Sequence, residues 1–230
     1  MIISHRHKFI FLKTTKTAGT SIEIALSKFC GPEDIITPIT KEDEKIRREL
    51  GYPGPQNYLA SPWKYGPKDI AALLLKKRKK RAFYNHIPAT AVRPQISKEV
   101  WNSYFKFCVE RNPWDRAVSF YYWKNRAEPR IPFSEWAASN APVILKKSGF
   151  GVYTIDGTVV VDKVCRFEAL AEELESVRLR LGIPEPLELP RAKSRFRKDH
   201  ATYHGNYSDP EKARIAEIFS DEIRLFGYEF

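Results

Sequence analysis

Short apolar runs alternate with amphipathic ones along this chain, and their spacing predicts strands followed by helices. Lys8–Leu12 (KFIFL) is a run of apolar, β-forming residues that predicts a short buried strand. A loop of small and polar residues follows, Lys13–Gly19. In Thr20–Phe29, Ile22, Leu26 and Phe29 recur at helical spacing and share one face, and Gly31-Pro32 stops the helix. The same alternation returns at Tyr104–Val109, a strand, and at Trp114–Arg126, a helix with Pro113 in its first turn. It returns again at Asp162–Phe167, a strand, and Glu168–Leu181, a helix that Gly182 ends. Helices are further predicted at about 41–50, at Pro67–Lys80, Phe133–Ser139 and Glu211–Phe226, and a short strand at Ala82–Asn85. Asp156-Gly157 between Val152–Ile155 and Thr158–Val161 signals a hairpin. Strands alternating with helices predict an α/β fold, with a mostly parallel central sheet flanked by helices on both faces.

The 230 residues suffice for one domain with a real core, so 1–230 is read as a single domain. Residues 31–80, rich in Pro, Gly and Tyr around the 41–50 helix, read as an insertion that shapes the substrate side. A hydrophobic share of 43% argues against disorder. Lys and Arg number 39 against 28 Asp and Glu, a formal charge of +11. That field attracts anions, but it does not choose between nucleotides, acidic glycans, nucleic acid and anionic membranes. Three cysteines, Cys30, Cys108 and Cys165, lack metal-ligand spacing and read as buried free thiols, which suits a reducing compartment. No apolar run approaches a signal or membrane-spanning segment, and Met1 reads as a native start, so a soluble, cytoplasmic protein is expected.

Two motifs carry candidate chemistry. The first, Lys13-Thr14-Thr15-Lys16-Thr17-Ala18-Gly19-Thr20-Ser21, joins a strand to a helix. The N–H groups and dipole of a helix start favour an anion there. Ala18 and Gly19 permit close backbone approach, Lys16 adds a charge, and Thr17, Thr20 and Ser21 add hydroxyls. The plainer reading is an ordinary turn with Thr20 as helix cap. A nucleoside-triphosphate loop requires Gly-Lys-Ser/Thr, and here Thr20 follows Gly19 directly. The second motif runs from Cys108 to Ser119. It sets Arg111 at the carboxyl end of a strand, where ligands bind in open α/β sheets, and Ser119 about two turns into the next helix. Arg111 and Ser119 together suit one phosphate, although Arg111 alone also suits a structural ion pair. Arg116 is a candidate to pair with an acid or to support Arg111.

Together these motifs resemble those of the PAPS-dependent sulfotransferase superfamily, closest to its carbohydrate-type and bacterial branch. Lys16–Ser21 resembles the family's 5′-phosphosulfate loop and Arg111-Asn112-Pro113 through Ser119 its 3′-phosphate motif. Val161–Leu170 is similar to its strand-to-helix segment and Asp221–Phe230 to its C-terminal ending. The resemblance implies a P-loop-like three-layer sandwich and in-line transfer of a sulfuryl group from 3′-phosphoadenosine 5′-phosphosulfate (PAPS) to a hydroxyl acceptor, a glycan or a small molecule. The product is adenosine 3′,5′-bisphosphate (PAP), and no metal is expected.

Under that resemblance Lys16 stabilises the departing nucleotide, and Lys16, Thr17, Ala18, Gly19, Thr20 and Ser21 hold the 5′-phosphate. Arg111 and Ser119 hold the 3′-phosphate. His86 is the candidate base for the acceptor hydroxyl, with a structural role as the plainer alternative. His5 and His7 are expected in solvent, and His200 and His204 fall in the basic segment Arg191–Tyr207. In the family the corresponding loop often closes over the nucleotide. Lys76–Arg81 reads as a solvated helix end or glycan contact. Trp63, Tyr65, Trp123 and Trp136 are candidates for sugar stacking, with core packing the plainer role. Two other function classes stay open: a P-loop-type nucleotide kinase or NTPase, and a non-enzymatic binder of nucleic acid or acidic glycan. No specific nucleic-acid pattern is present.

Overall fold

A computed structural model of the chain describes residues 1–77, 79–190 and 203–230. Its elements in chain order are β1 (Ile2–Ser4), β2 (Phe9–Phe11), α1 (Gly19–Ser27), β3 (Ile35–Ile36), α2 (Lys41–Glu49), α3 (Pro67–Lys76), α4 (Ala89–Val92), α5 (Lys98–Ser103) and β4 (Phe105–Glu110). They continue with α6 (Pro113–Lys124), α7 (Phe133–Ala138), α8 (Ala141–Lys147), α9 (Phe150–Tyr153), β5 (Thr154–Ile155), β6 (Thr158–Val159), β7 (Lys163–Arg166), α10 (Leu170–Arg180), α11 (Asp209–Ile218) and α12 (Ser220–Phe226).

The central sheet has the order β3-β1-β2-β4-β7. β2, β4 and β7 pair in parallel, with Phe11 opposite Phe107 and Cys108 opposite Val164. They are the three strands that the alternation predicts. β1 and β3 extend the sheet antiparallel on the β2 side. Strand residues alternate between two apolar layers. Phe9, Phe11, Phe107, Val109 and Cys165 face α1 and α10 through Ile22, Leu26, Leu174 and Val177. Ile3, Ile10, Leu12 and Cys108 face the other way, toward Val92, Trp101 and Tyr153. This is the three-layer α/β arrangement, and the three cysteines are buried free thiols within or beside it. A further apolar cluster joins α6, α7, α8 and α11 through Trp114, Phe120, Trp136 and Phe219.

Several local expectations change. Ala82–Asn85 is not a strand, and a single bridge, Leu59 to Arg81, is all that forms beside it. The predicted helix 67–80 stops at Lys76, where Lys77 turns left-handed (φ 49°). The last helix breaks at Phe219 into α11 and α12, because Phe219 is buried in the third cluster at a non-helical φ of −101°. His5 and His7 are half-buried, with His5 Nδ1 2.8 Å from the Tyr104 hydroxyl and His7 Nδ1 3.4 Å from the Leu181 carbonyl. Within 31–80, Ile35–Ile36 completes the sheet edge and Arg47 is buried, whereas 61–80 forms an excursion tied at its base by Ala60 N–H to the Lys80 carbonyl (3.0 Å).

Candidate active site

The loop between β2 and α1 is pinned from every side by its own carbonyls. The Lys13 carbonyl accepts from His86 Nδ1 (2.9 Å), the Thr15 carbonyl from Arg116 Nε (2.9 Å), and the Lys16 carbonyl from Arg111 Nη1 (3.2 Å). Thr15 N–H donates to the Ser148 carbonyl (2.9 Å), and the Thr14 hydroxyl donates to the Val109 carbonyl on β4. Thr17 Oγ1 lies 2.7 Å from Thr14 Oγ1, so both hydroxyls are buried in the loop's own frame. Lys16 (φ 67°) and Ala18 (φ 57°) are left-handed, and single left-handed residues of this kind turn successive N–H groups toward one side, a concavity suited to an anion.

The start of α1 completes that concavity. Its N-cap is Ala18, with no side-chain cap, and its first turn has no acid, contrary to a Thr20 cap. The neighbouring helix α6 is the reverse: Asn112 accepts from Trp114 and Asp115 N–H groups, and Asp115 sits in its first turn. Of the two helix starts beside the loop, only α1 keeps a positive end unanswered by its own side chains. Gly19 is needed for a local reason. A Cβ there would lie 2.7 Å from Lys13 Cγ, because the Lys13 side chain runs buried beneath the loop to Glu23 (2.8 Å).

The structure brings Lys16, Thr17, Ala18, Gly19, Thr20, Ser21, Arg111 and His86 to this one place. Lys16 Nζ lies 5.7 Å from the Trp123 ring, so Trp123 is beside the site. Arg111 directs Nε and Nη2 onto Asp115 (2.8 and 2.6 Å) and lies over the Phe167 ring (4.2 Å). Ser119 is half-buried two turns along α6. His86 is held in a left-handed conformation (φ 58°), with Thr15 Oγ1 3.4 Å from Nδ1. Because the Lys13 carbonyl can only accept, Nδ1 carries the hydrogen and Nε2 keeps the lone pair. Burial, and then the Lys13 charge, push the imidazole down to about 3, so His86 is neutral at pH 7.

Behind the loop sits a clamp that sequence reasoning left half-stated. Arg116 is fully buried: Nη1 donates to Glu110 (2.7 Å), Nε to the loop and Nη2 to the Leu145 carbonyl (3.2 Å). Glu110 also accepts from Arg111 N–H (3.0 Å) and the Tyr153 hydroxyl (2.9 Å). A Cβ on Gly149 would lie 1.8 Å from Arg116 Nη2, so glycine leaves room for the guanidinium. Glu110, at the end of a strand, was the signal for this partner, but nothing in the spacing set it above other acids. Glu23, inside an apolar helix, was a comparable clue to the buried Lys13.

The family model for the sulfotransferase family matches residues 1–147, which include both motifs. The chain belongs to the sulfotransferase family. Its members move sulfuryl groups, and the resemblance drawn from the two motifs stands at that level. The kinase reading gives way to it. An uncharacterized protein of Archaeoglobus fulgidus is 32% identical over 108 residues, 45% of this chain and 88% of its own. The crystal structure of mouse sulfotransferase SULT7A1 complexed with PAP overlays 98% of this chain and 87% of its own, at 17% identity and a TM-score of 0.45. The similarities noted at 161–170 and 221–230 lie outside the span that the family model matches.

Other predicted positions fall elsewhere. Trp136 is buried in the core and Trp63 is exposed on the 61–80 excursion. His204 stacks on Tyr203 (4.2 Å) and meets Phe230 edge-on. His200 and most of Arg191–Tyr207, up to residue 202, lie outside the described residues. Among the described residues, no helix is long and apolar enough to cross a membrane.

Proposed function

We propose that this sulfotransferase takes its sulfuryl group from PAPS and passes it to an acceptor hydroxyl, with Lys16 and His86 on either side of the transfer. The observation that carries the reading is the shared frame of the two motifs: Arg111 donates to the Lys16 carbonyl, and His86 donates to the Lys13 carbonyl of the same loop. That one segment holds both Arg111 and His86 supports their roles as phosphate cation and base beside the donor loop in an in-line transfer.

The residues present fit a phosphorylated donor. The uncapped start of α1 and the hydroxyls of Thr20 and Ser21 receive the 5′-phosphate, and Lys16 neutralises the oxygen on which charge collects as the S–O bond breaks. Arg111 and Ser119 receive the 3′-phosphate, in competition with Asp115 for the guanidinium. Each charge-assisted bond of this kind contributes roughly 1.5–3 kcal/mol. His86 Nε2 takes the proton of the acceptor hydroxyl as its oxygen bonds to sulfur. Burial beside Lys13 makes it a weak base, so it takes the proton only as the new O–S bond acidifies the hydroxyl, and it sheds that proton readily afterwards. A carbohydrate acceptor, a single domain over 1–230 and a cytoplasmic location complete the reading. Trp123 beside Lys16 supports a ring-bearing acceptor, and the free buried thiols suit a reducing compartment.

Titration calorimetry with PAP, with AMP and with ATP plus magnesium tests it. PAP is expected to bind most tightly, and Lys16→Ala and Arg111→Ala each to weaken it by at least roughly tenfold. Tighter binding of ATP with magnesium, or unchanged PAP binding in both variants, refutes the reading; the latter favours a non-enzymatic binder of acidic polymers.

A further inference from the structure

Helix α3 buries none of its ten residues, yet six of them, Ile70 through Leu75, are an unbroken run of Ala, Leu or Ile. Leu74 is 75% exposed and Leu75 82%, and Trp63 just before the helix is 95% exposed. A helix this apolar and this uncovered needs a reason for its shape that its own core does not give. Polar ties supply the shape. Asp69 accepts from Gly66 N–H (3.0 Å) at the helix start and from Lys80 Nζ (2.7 Å), and Lys80 N–H donates to the Tyr65 hydroxyl (3.1 Å). The ties draw the ends of the excursion together and leave the aliphatic side chains facing outward.

Charge indicates what covers them. From Ser61 to Arg81 the sequence has eight Lys or Arg and one acid, Asp69, which Lys80 already engages. Lys64, Lys68, Lys76, Lys77 and Lys79 are exposed around the apolar residues. We infer that α3 with Trp63 is a docking element for the surface of an anionic lipid bilayer. Leu74, Leu75 and Trp63 would enter the interface while the lysines meet lipid phosphates. Ten residues span only about 15 Å, half of a hydrocarbon core of roughly 30 Å, so the helix lies on the membrane. A second copy of the chain is the poorer occupant, because it would bring two such cationic clusters face to face. The inference stands independently of the sulfuryl-transfer reading.

Flotation of the full chain with vesicles tests it. Binding is expected to vesicles of equal phosphatidylcholine and phosphatidylglycerol, and not to phosphatidylcholine alone. It should weaken as salt rises from 0.15 to 0.5 M, as ~8 Å of screening length shortens. Leu74→Glu with Leu75→Glu should lower binding at least about tenfold. Lys76→Glu, Lys77→Glu and Lys79→Glu together should lower it more than roughly a hundredfold, at about fivefold per lysine. Bound vesicles should shift the tryptophan emission to the blue, and Trp63→Phe should remove most of that shift. These side chains are exposed, so the thermal melt of each variant should match the parent. Failure of the parent to bind anionic vesicles, equal binding to neutral ones, or undiminished binding of the leucine variant would overturn the inference. So would a dimer in sedimentation that the leucine variant abolishes, since the face would then belong to a second copy.

Discussion

Glu23 and Glu110 are both buried carboxylates, and both hold the same loop, but from opposite sides and in opposite electrostatic company. Glu23 sits among basic groups: Lys13 at 2.8 Å, the Met1 amine at 3.0 Å, which burial lowers to about 5, and Arg47 at 3.6 Å, which Glu44 also engages at 3.2 Å. Burial alone would push it up, yet those cations prevail and hold it down at about 2. Glu110 pairs with the guanidinium of Arg116 (2.7 Å) and lies in the electrostatic field of a second buried carboxyl, Glu222 on α12. Neither oxygen of Glu222 has a hydrogen-bond partner among the described residues, and Lys146 Nζ lies 3.9 Å away. Burial and the Glu110 charge push Glu222 up to about 8, so it stays protonated at neutral pH. The first cluster sets its carboxylate among basic groups, and the second sets two carboxyls near one guanidinium. Rigidity in the loop therefore rests on two different arrangements of buried charge, each of which costs most when one partner is removed.

The largest expected effect is Glu23→Gln, which removes the buried carboxylate that pairs with Lys13 and one of the two that engage Arg47. A loss of about 3–5 kcal/mol is expected in urea unfolding. Glu110→Gln should cost no more than about half of that, because without the Glu110 charge Glu222 ionises and offsets the Arg116 charge, and the guanidinium keeps the Thr15 and Leu145 carbonyls. Equal losses in the two variants would erase the distinction between the clusters. Next comes chemistry on the loop they hold. His86→Ala should lower turnover by roughly 10²–10⁴-fold while leaving PAP affinity within about twofold. Since His86 is held near 3, the rate should show no acid limb around pH 6.5, and a limb there would mean that the imidazole is not buried as described.

The smaller effects are in pH dependence, and the two carboxyls have opposite signs. Glu23 is depressed in the folded state, so its contribution is present above its ordinary value of 4.5 and lost as pH falls toward 2. Glu222 is raised, so the stability it lends is complete below 4.5 and lost as pH rises toward 8, where the unfolded chain alone has ionised. Glu222→Gln should therefore flatten the decline of the melting temperature between pH 5 and pH 8. A decline as steep as the parent's would place its cause elsewhere. The measurement is a series of thermal melts at constant ionic strength.

The sequence by itself determined the parallel strands, the loop and the helix that follows it. Those signals are local: apolar runs of strand length, Gly31-Pro32 after a helical face, Pro113 in a first turn. It also brought out Lys16 and Arg111, because cations beside strand ends are uncommon and chemically pointed; His86 stood out by its chemistry and the family resemblance, although the strand expected before it does not form. Only the tertiary structure decided what those residues lean on. That Arg116 reaches Thr15 and Leu145, and that Glu222 comes near Glu110 from the far end of the chain, depend on approaches over long sequence separation, and that Lys13 runs beneath Gly19 to Glu23 depends on how the loop folds over it. Such contacts leave no periodicity to read, since any buried acid would look alike in sequence. The exposure of α3 belongs to the same class. Its run of Ile, Ala and Leu reads as core, and only its exposure among the described residues turns it outward.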